Sequence, residues 1–408
     1  MRVLVVNSHH YRRGGDSAQF LDHVAALEGR GHDVAVFCMR HPDNLPSVWS
    51  EYWAPHVEYR GVLSVRDRVH AAWRGIHSAE AARGMKRLLR DFRPDVVHFH
   101  SVQHHLTLAV VDACLSAHLP TVWTLHDYRA VCPASALLRN GELCERCAGG
   151  RYWHCVSGRC KSGELSRSAA GAAESYLTQM RGALSKIDCY VAPSRFLGSK
   201  VLDMGLRARR MEIVPNPAPA AASALAGADR SGLLYVGRLS PEKGVDVLIR
   251  ALAGCSDVRL RVVGDGPEEQ LLRELARQVK ANVAFDGWAS SAAVREHMAA
   301  AGLLCVPSVW YENCPGVVLE AMSAGLPVVG GVRSGAVPWV LDDGDAGVLV
   351  DVKQPSEIAR GISGLLDDEN EAQAIIARAR DRVAKHFSPR VVCEAYLAEY
   401  DRLRRERR

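Results

Sequence analysis

Ten short apolar runs are spaced along the chain, most closing on Gly, Ser, Asn, His, Pro or a charged residue and followed by a stretch with helical spacing. They read "RVLVVN", "HDVAVFC", "DVVHFH", "PTVWTLHD" and "DCYVAPS", then "GLLYVGR", "LRVVGDG", "GLLCVPS", "LPVVGG" and "AGVLV". Consecutive apolar positions suit strands buried on both faces, because alternation is required only where one face meets water. Strand alternating with helix predicts α/β architecture with parallel sheets, and this many strands is enough for two of them. Between the fifth and sixth runs, "VPNPAPAAASALAGADRSG" has no periodicity and is rich in Ala and Pro, which predicts a linker at 215–230. The expected domains are 1–214, with an insertion at about 130–162, and 231–387. A charged helical segment at 388–408 is placed to pack back on the first domain.

Composition agrees with two packed cores. The 408 residues are 48% hydrophobic and 24% charged, which excludes a disordered chain. A net charge of +5 is mildly basic: it favours an anionic ligand or a membrane surface and gives no reason to expect nucleic acid. Arg and Lys gather locally, in "EYRGVLSVRDRVHAAWRG", "MKRLLRDFR", "LRARR" and "DRLRRERR", where a solvated basic face competes with a lipid-binding one. "MRVLVVNSHH" has no signal-peptide pattern, and no window approaches the ~18 apolar residues of a membrane span, so a cytoplasmic protein is expected, with peripheral contact at the cytoplasmic face of a membrane as the alternative to a wholly solvated one.

In open parallel sheets ligands bind beyond the carboxyl ends of strands, so residues just after the apolar runs carry the candidate chemistry. In "VWYENCPGVVLEAMSAG", Pro315 and Gly316 predict a helix start, with Glu312 on the loop and Glu320 just over one turn into the helix. Two carboxylates beside the free N–H groups of a helix start suit a sugar joined to a phosphate, although a lone Glu pair is as readily a solvated one. In "YVGRLSPEKG", Arg238 and Lys243 follow a strand and are placed to neutralise a diphosphate. Gly264 and Gly266 of "VVGDGP" allow close backbone approach, and Gly14 with Gly15 suits a phosphate loop or a plain tight turn.

Taken together, "GRLSPEKG", "VGDGP" and "ENCPGVVLEAMSAGLPVV", with "RRGGDSAQFLDHVAALEGRGHDV" at the front, resemble glycosyltransferase family 4 over essentially the whole chain. The resemblance implies the GT-B fold, two Rossmann-like domains facing across a cleft. It also implies retaining transfer of a sugar from a nucleoside diphosphate sugar, UDP or GDP type, to an acceptor hydroxyl. The acceptor class it implies is a glycan, a lipid-linked saccharide or a small molecule. Residue by residue, it gives Arg238 and Lys243 the diphosphate and Glu320 the ribose. Glu312, with Asn313, Cys314, Pro315, Gly316 and Val317, would hold the donor sugar. Gly14 and Gly15 would close over the diphosphate, Gly264, Asp265 and Gly266 would approach the base, and His126 of "TLHD" would lie near the reacting carbon. His126, Glu312, Arg238 and Lys243 form the catalytic set. With no Asp-x-Asp motif suited to the cleft, no catalytic metal is expected. Two positions depart from the family pattern: Pro217 stands where Gly is common and Trp339 where Glu is common. A rival oxidoreductase reading lacks a G-x-G-x-x-G after the first strand. A catalytically silent binding protein is the other alternative.

The insertion "CERCAGGRYWHC" stands apart. Cys144 and Cys147 have CxxC spacing, and Cys132, Cys155 and Cys160 supply further thiolates for a structural zinc, with His154 in reserve. Five cysteines for four places leave one over. Reduced thiols, disulfides and an iron–sulfur cluster are the competing readings.

Overall fold

The structure, a computed structural model, describes residues 1–56, 78–103, 106–219, 230–254 and 257–407. Most of the predicted linker, 220–229, and the basic stretch "EYRGVLSVRDRVHAAWRG", 58–75, lie outside the described residues. The chain divides into two units, one of Met1–Asn140, Cys144–Val214 and Cys393–Arg408, the other of Gly141–Leu143 and Pro215–Val392.

The first unit alternates strand and helix: β1 (Arg2–Val6), α1 (Gly15–Glu28), β2 (Asp33–Phe37), α2 (Ala79–Phe92), β3 (Val96–Phe99), α3 (Ala109–Ser116) and β4 (Thr121–Thr124). The cysteine-rich insertion follows, with a two-residue-strand hairpin, β5 (Leu138–Arg139) and β6 (Glu142–Leu143), and the short helix α4 (Trp153–Ser157). Then come α5 (Leu165–Arg181), β7 (Cys189–Ala192), α6 (Arg195–Asp203) and β8 (Met211–Ile213). The main sheet runs β2-β1-β3-β4-β7-β8, every pairing parallel. Serine hydroxyls start two of the helices: Ala81 N–H donates to Ser78 Oγ at α2, and Leu197 N–H to Ser194 Oγ at α6.

The second unit repeats the plan with β9 (Leu233–Val236), α7 (Val245–Ala251), β10 (Leu260–Val263), α8 (Glu269–Gln278), β11 (Val283–Gly287), α9 (Ser291–Ala300) and β12 (Leu303–Val306). It continues through α10 (Gly316–Ala324), β13 (Val328–Gly331), α11 (Val337–Val340), β14 (Val348–Val350), α12 (Pro355–Asp367) and α13 (Glu369–Arg382). Its sheet order is β11-β10-β9-β12-β13-β14, again all parallel. Leu233 and Tyr235 face one apolar layer while Leu234 faces the other. Both faces of β9 are therefore dry, which is why its sequence is apolar without alternation.

The last helix, α14 (Pro389–Glu406), contributes its residues from Cys393 onward to the first unit. There Tyr400 is fully buried, its hydroxyl 2.9 Å from His23 Nε2 and 2.5 Å from His98 Nδ1. Arg407 adds contacts of 2.8 and 2.9 Å to Asp188.

Candidate functional site

In each main sheet the chain reverses direction of travel once, between β1 and β3 in the first unit and between β9 and β12 in the second. The loops leaving two such strands part to opposite sides and leave a crevice at their carboxyl ends.

In the second unit that crevice holds an ion pair between a half-buried lysine and a buried glutamate. Lys243 ends a single 3₁₀ turn, Pro241–Lys243, closed by Gly244 at φ +65°. Glu312, only 7% exposed, stands in the loop after β12. Lys243 Nζ and Ser308 Oγ each donate to Glu312 Oε1 at 2.6 Å. The two loops are fastened together, since Val309 N–H donates to the Glu242 carbonyl at 3.0 Å and a side chain on Gly244 would run into the Pro307 carbonyl. Behind Glu312, Gly335 at φ +60° leaves no room for a Cβ against the Glu312 backbone, and Ala336 N–H donates to the Glu312 carbonyl at 2.8 Å. Lys243 Nζ also lies 5.2 Å from the Trp310 ring centroid.

α10 begins on the same loop, with Pro315 at the N-cap and no side chain capping it. Its first N–H groups are thus available to an anion. Glu320, half-buried in the second turn, leans back toward the helix start, its Oε1 4.0 Å from where a Cβ on Gly316 would be. Burial raises its pKa, with Arg295 pulling the other way. Asn216 Nδ2 donates to the Cys314 carbonyl at 3.0 Å and holds the Asn313–Val317 turn from beneath.

Arg238, exposed, follows β9, and its carbonyl accepts from the Tyr235 hydroxyl at 2.8 Å. Gly264 at φ +135° and Gly266 do allow a close backbone approach, and what approaches is the neighbouring loop. A Cβ at either position would collide with the carbonyls of Gly237 or Leu239. Asp265 O accepts from Leu239 N–H at 2.7 Å in the same packing.

Gly14, Gly15 and His126 lie in the first unit. Gly14 is the extended N-cap of α1, and a Cβ on Gly15 would meet nothing within 4 Å. His126, after β4, stacks on His100 at 21° with its Nε2 2.8 Å from His100 Nδ1. Burial lowers its pKa, against the carboxylates of Asp16 and Asp127, which raise it, so the ring is neutral at pH 7. It lines a small cavity of about 40 Å³ with His100, Gln103, Asp127, Arg129 and Tyr190. Sequence reasoning passed over Ser308, Gly335 and His100. Each stands directly after a strand or in the turn that follows one, which was the signal available.

The five insertion cysteines are all free thiols. Cys132, Cys147 and Cys155 are buried and Cys144 and Cys160 partly so. Burial first, then the other thiols, pushes Cys147 up to about 12; its neighbours in this respect are Cys132, Cys155, Cys160 and Cys144. Cys155 is likewise pushed up to about 12 by burial and then by Cys160 and Cys132. The thiols thus share one neighbourhood, but among the described residues only His23, His98 and His100 form a group of three whose ligand atoms all lie within 4.8 Å of each other, so no three of the thiols are that close.

The sequence profile described as Glycosyltransferase Family 4 matches residues 13–221, and that of Glycosyl transferases group 1 matches 223–382. The chain belongs to glycosyltransferase family 4. Among curated relatives of this family-4 chain, a lipopolysaccharide core biosynthesis glycosyltransferase, LpsE of Rhizobium meliloti, is 29% identical over 52% of this chain and 63% of its own length. A phosphatidyl-myo-inositol mannosyltransferase of Mycolicibacterium smegmatis is 36% identical over 40% of this chain and 43% of its own. The chain therefore spans less than two thirds of these relatives' lengths. Among solved structures, sucrose-phosphate synthase of Thermosynechococcus elongatus superposes with a TM-score of 0.69 at 18% identity, covering 98% of both chains. HepE of Anabaena, solved in complex with UDP-glucose, gives 0.64 at 18%, covering 98% of this chain and 99% of its own. The fold shared with them is GT-B, built from two Rossmann-like domains. No helix among the described residues is long and apolar enough to cross a membrane.

Proposed function

We propose that this family-4 chain is a retaining glycosyltransferase that moves a sugar from a nucleoside diphosphate sugar to an acceptor hydroxyl. The observation that carries this reading is the Lys243–Glu312 pair at the carboxyl ends of β9 and β12, beside the uncapped start of α10. Lys243 and Arg238 neutralise the donor diphosphate, and the first amides of α10 add donors to it. Glu312 accepts from hydroxyls of the donor sugar and Glu320 from those of the ribose. As the bond to the anomeric carbon breaks, negative charge grows on the diphosphate, so the cations and helix N–H groups bind the transition state more tightly than the donor. Transfer then proceeds on the same face: the acceptor oxygen bonds to the anomeric carbon, the diphosphate leaves with the bonding pair, and one of its oxygens takes the acceptor's proton. With the leaving charge met by these groups, the reading requires no catalytic metal.

A relative's GDP-mannose dependence and the UDP-glucose bound to HepE support a donor of UDP or GDP type. The acceptor, a glycan, a lipid-linked saccharide or a small molecule, is assigned to the first unit, where Gln103, His126 and Arg129 offer hydrogen-bonding groups around a small cavity. The reaction is placed in the cytoplasm, at the inner membrane face where the acceptor is lipid-linked. The insertion is assigned a structural zinc on four of Cys132, Cys144, Cys147, Cys155 and Cys160. Thermal shift against UDP- and GDP-sugars, with NAD as control, tests the donor assignment: a rise with a nucleotide sugar alone supports it, and a rise with NAD alone rejects it. Metal analysis of the purified protein, with Cys144 and Cys147 replaced by Ser for comparison, tests the zinc.

A further inference from the structure

The helix α5 is built inside out. The residues it buries are small, Ser168, Gly171 and Ala172, while Leu165, Tyr176 and Met180 face solvent and Leu177 is half-buried. Leu165 is 55% exposed, Tyr176 37% and Met180 82%. With the exposed Ala169 and Ala173 they recur at spacings of four, four, three and four residues, which sets them in one stripe along the helix. The insertion continues this surface. Trp153, 54% exposed, donates its backbone N–H to the Tyr176 hydroxyl at 3.1 Å, so the first residue of α4 sits beside the stripe. A helix placed only to cover its own domain would put Leu, Tyr and Met inward and small residues outward.

The charge around this face is as one-sided as its polarity. Residues 144–186 contain seven Lys and Arg against three Glu, a local +4 in a chain whose total is +5. Two of the three carboxylates are already paired, Glu164 with Arg167 at 3.0 Å and Glu145 with Lys200 at 2.8 Å. Arg151, Arg159, Arg181 and Lys186 are exposed. A second copy docking through the same face would bring like charges together, whereas an anionic surface complements them.

We propose that the face made by Trp153, Leu165, Tyr176 and Met180, with Arg151, Arg159, Arg181 and Lys186 around it, docks on an anionic lipid bilayer. Trp and Tyr sit at the boundary between headgroups and acyl chains, Leu165 and Met180 enter the acyl region, and the cations meet lipid phosphates. Binding needs both contributions, since neither a few apolar side chains nor a few charges hold a protein at a surface alone. The inference stands apart from the transferase reading and is tested without a sugar donor.

The test is co-sedimentation of the full chain with vesicles of phosphatidylcholine alone or of phosphatidylcholine with phosphatidylglycerol. Binding is expected on the anionic vesicles, weaker at high salt, and absent on the neutral ones. Trp153→Ser, Leu165→Ser and Met180→Ser together should weaken binding at least about tenfold. Arg151→Glu with Arg181→Glu should weaken it with the apolar residues intact. Because all these side chains are exposed, the melting temperature should hold and serves as the folding control. Equal binding to both vesicle types, no binding to either, or variants that bind as the unsubstituted protein does would overturn the proposal. So would a dimer, seen by light scattering, that the serine substitutions dissociate.

Discussion

Lys243 and Glu312 are 69 residues apart in sequence, yet Lys243 Nζ lies 2.6 Å from Glu312 Oε1, fastened there by the loops that leave β9 and β12. The pair holds the ammonium where a diphosphate would meet it and satisfies a carboxylate that is almost fully enclosed. A bound diphosphate offers Lys243 a second anion, which leaves more of Glu312 for the hydroxyls of the donor sugar.

Lys243→Ala should therefore act twice. Transfer is expected to fall on the order of 10²–10³-fold, the scale of removing one preorganised donor from a developing negative charge. Stability should fall too, because among the described residues Glu312 is left enclosed with Ser308 as its one side-chain partner. Ser308→Ala removes a neutral donor and should cost less on both counts, about 1–3 kcal/mol of stability. Steady-state kinetics and denaturant unfolding of the two variants check the order; equal loss from both would contradict it.

Gly335 and Gly15 make a paired test of backbone geometry. At Gly335 a Cβ has a left-handed φ and the Glu312 backbone against it, so Gly335→Ala should destabilise the second unit by about 2 kcal/mol or more and weaken nucleotide-sugar binding by displacing Glu312. Gly15 has open space, and Gly15→Ala should change stability by no more than about 0.5 kcal/mol. Equal losses of stability from Gly15→Ala and Gly335→Ala would contradict this account.

Much of the fold could be read from the chain because both sheets are buried on two faces and their strands are apolar throughout. β8 and β11 escaped notice because they are edge strands, half-exposed and short on consecutive apolar residues. The Glu312 and Lys243 positions were legible from strand ends and spacing. Ser308 and Gly335 were not, since their meaning lies in a contact with Glu312 that only the fold creates. For the same reason Gly264 and Gly266 pointed to a close approach without showing that the nearest partner is the Gly237–Leu239 loop.

The buried imidazoles of the first unit set its behaviour in acid. Burial lowers the pKa of His23 to about 3, from an ordinary 6.5, with His126 adding to the shift. Burial followed by neighbouring rings lowers His98 and His100 well below 6.5. Between those limits the unfolded chain binds protons that the folded chain refuses, so stability is complete above 6.5 and is lost as pH falls. Each ring contributes up to about 1.4 kcal/mol per pH unit in that window. Unfolding from pH 7.5 to 5 should show this slope, and His23→Gln should flatten it by about one proton's worth; an unchanged slope would place the proton uptake elsewhere.

The central claim is that Glu312 and Lys243 hold a nucleoside diphosphate sugar for transfer. Release of nucleoside diphosphate, followed over a panel of UDP- and GDP-sugars with unsubstituted and Glu312→Ala protein, tests it most directly. The account predicts turnover of at least one donor by the unsubstituted chain and its near-complete loss in the variant while the melting temperature shows the variant folded. Turnover by Glu312→Ala at the unsubstituted rate would contradict it.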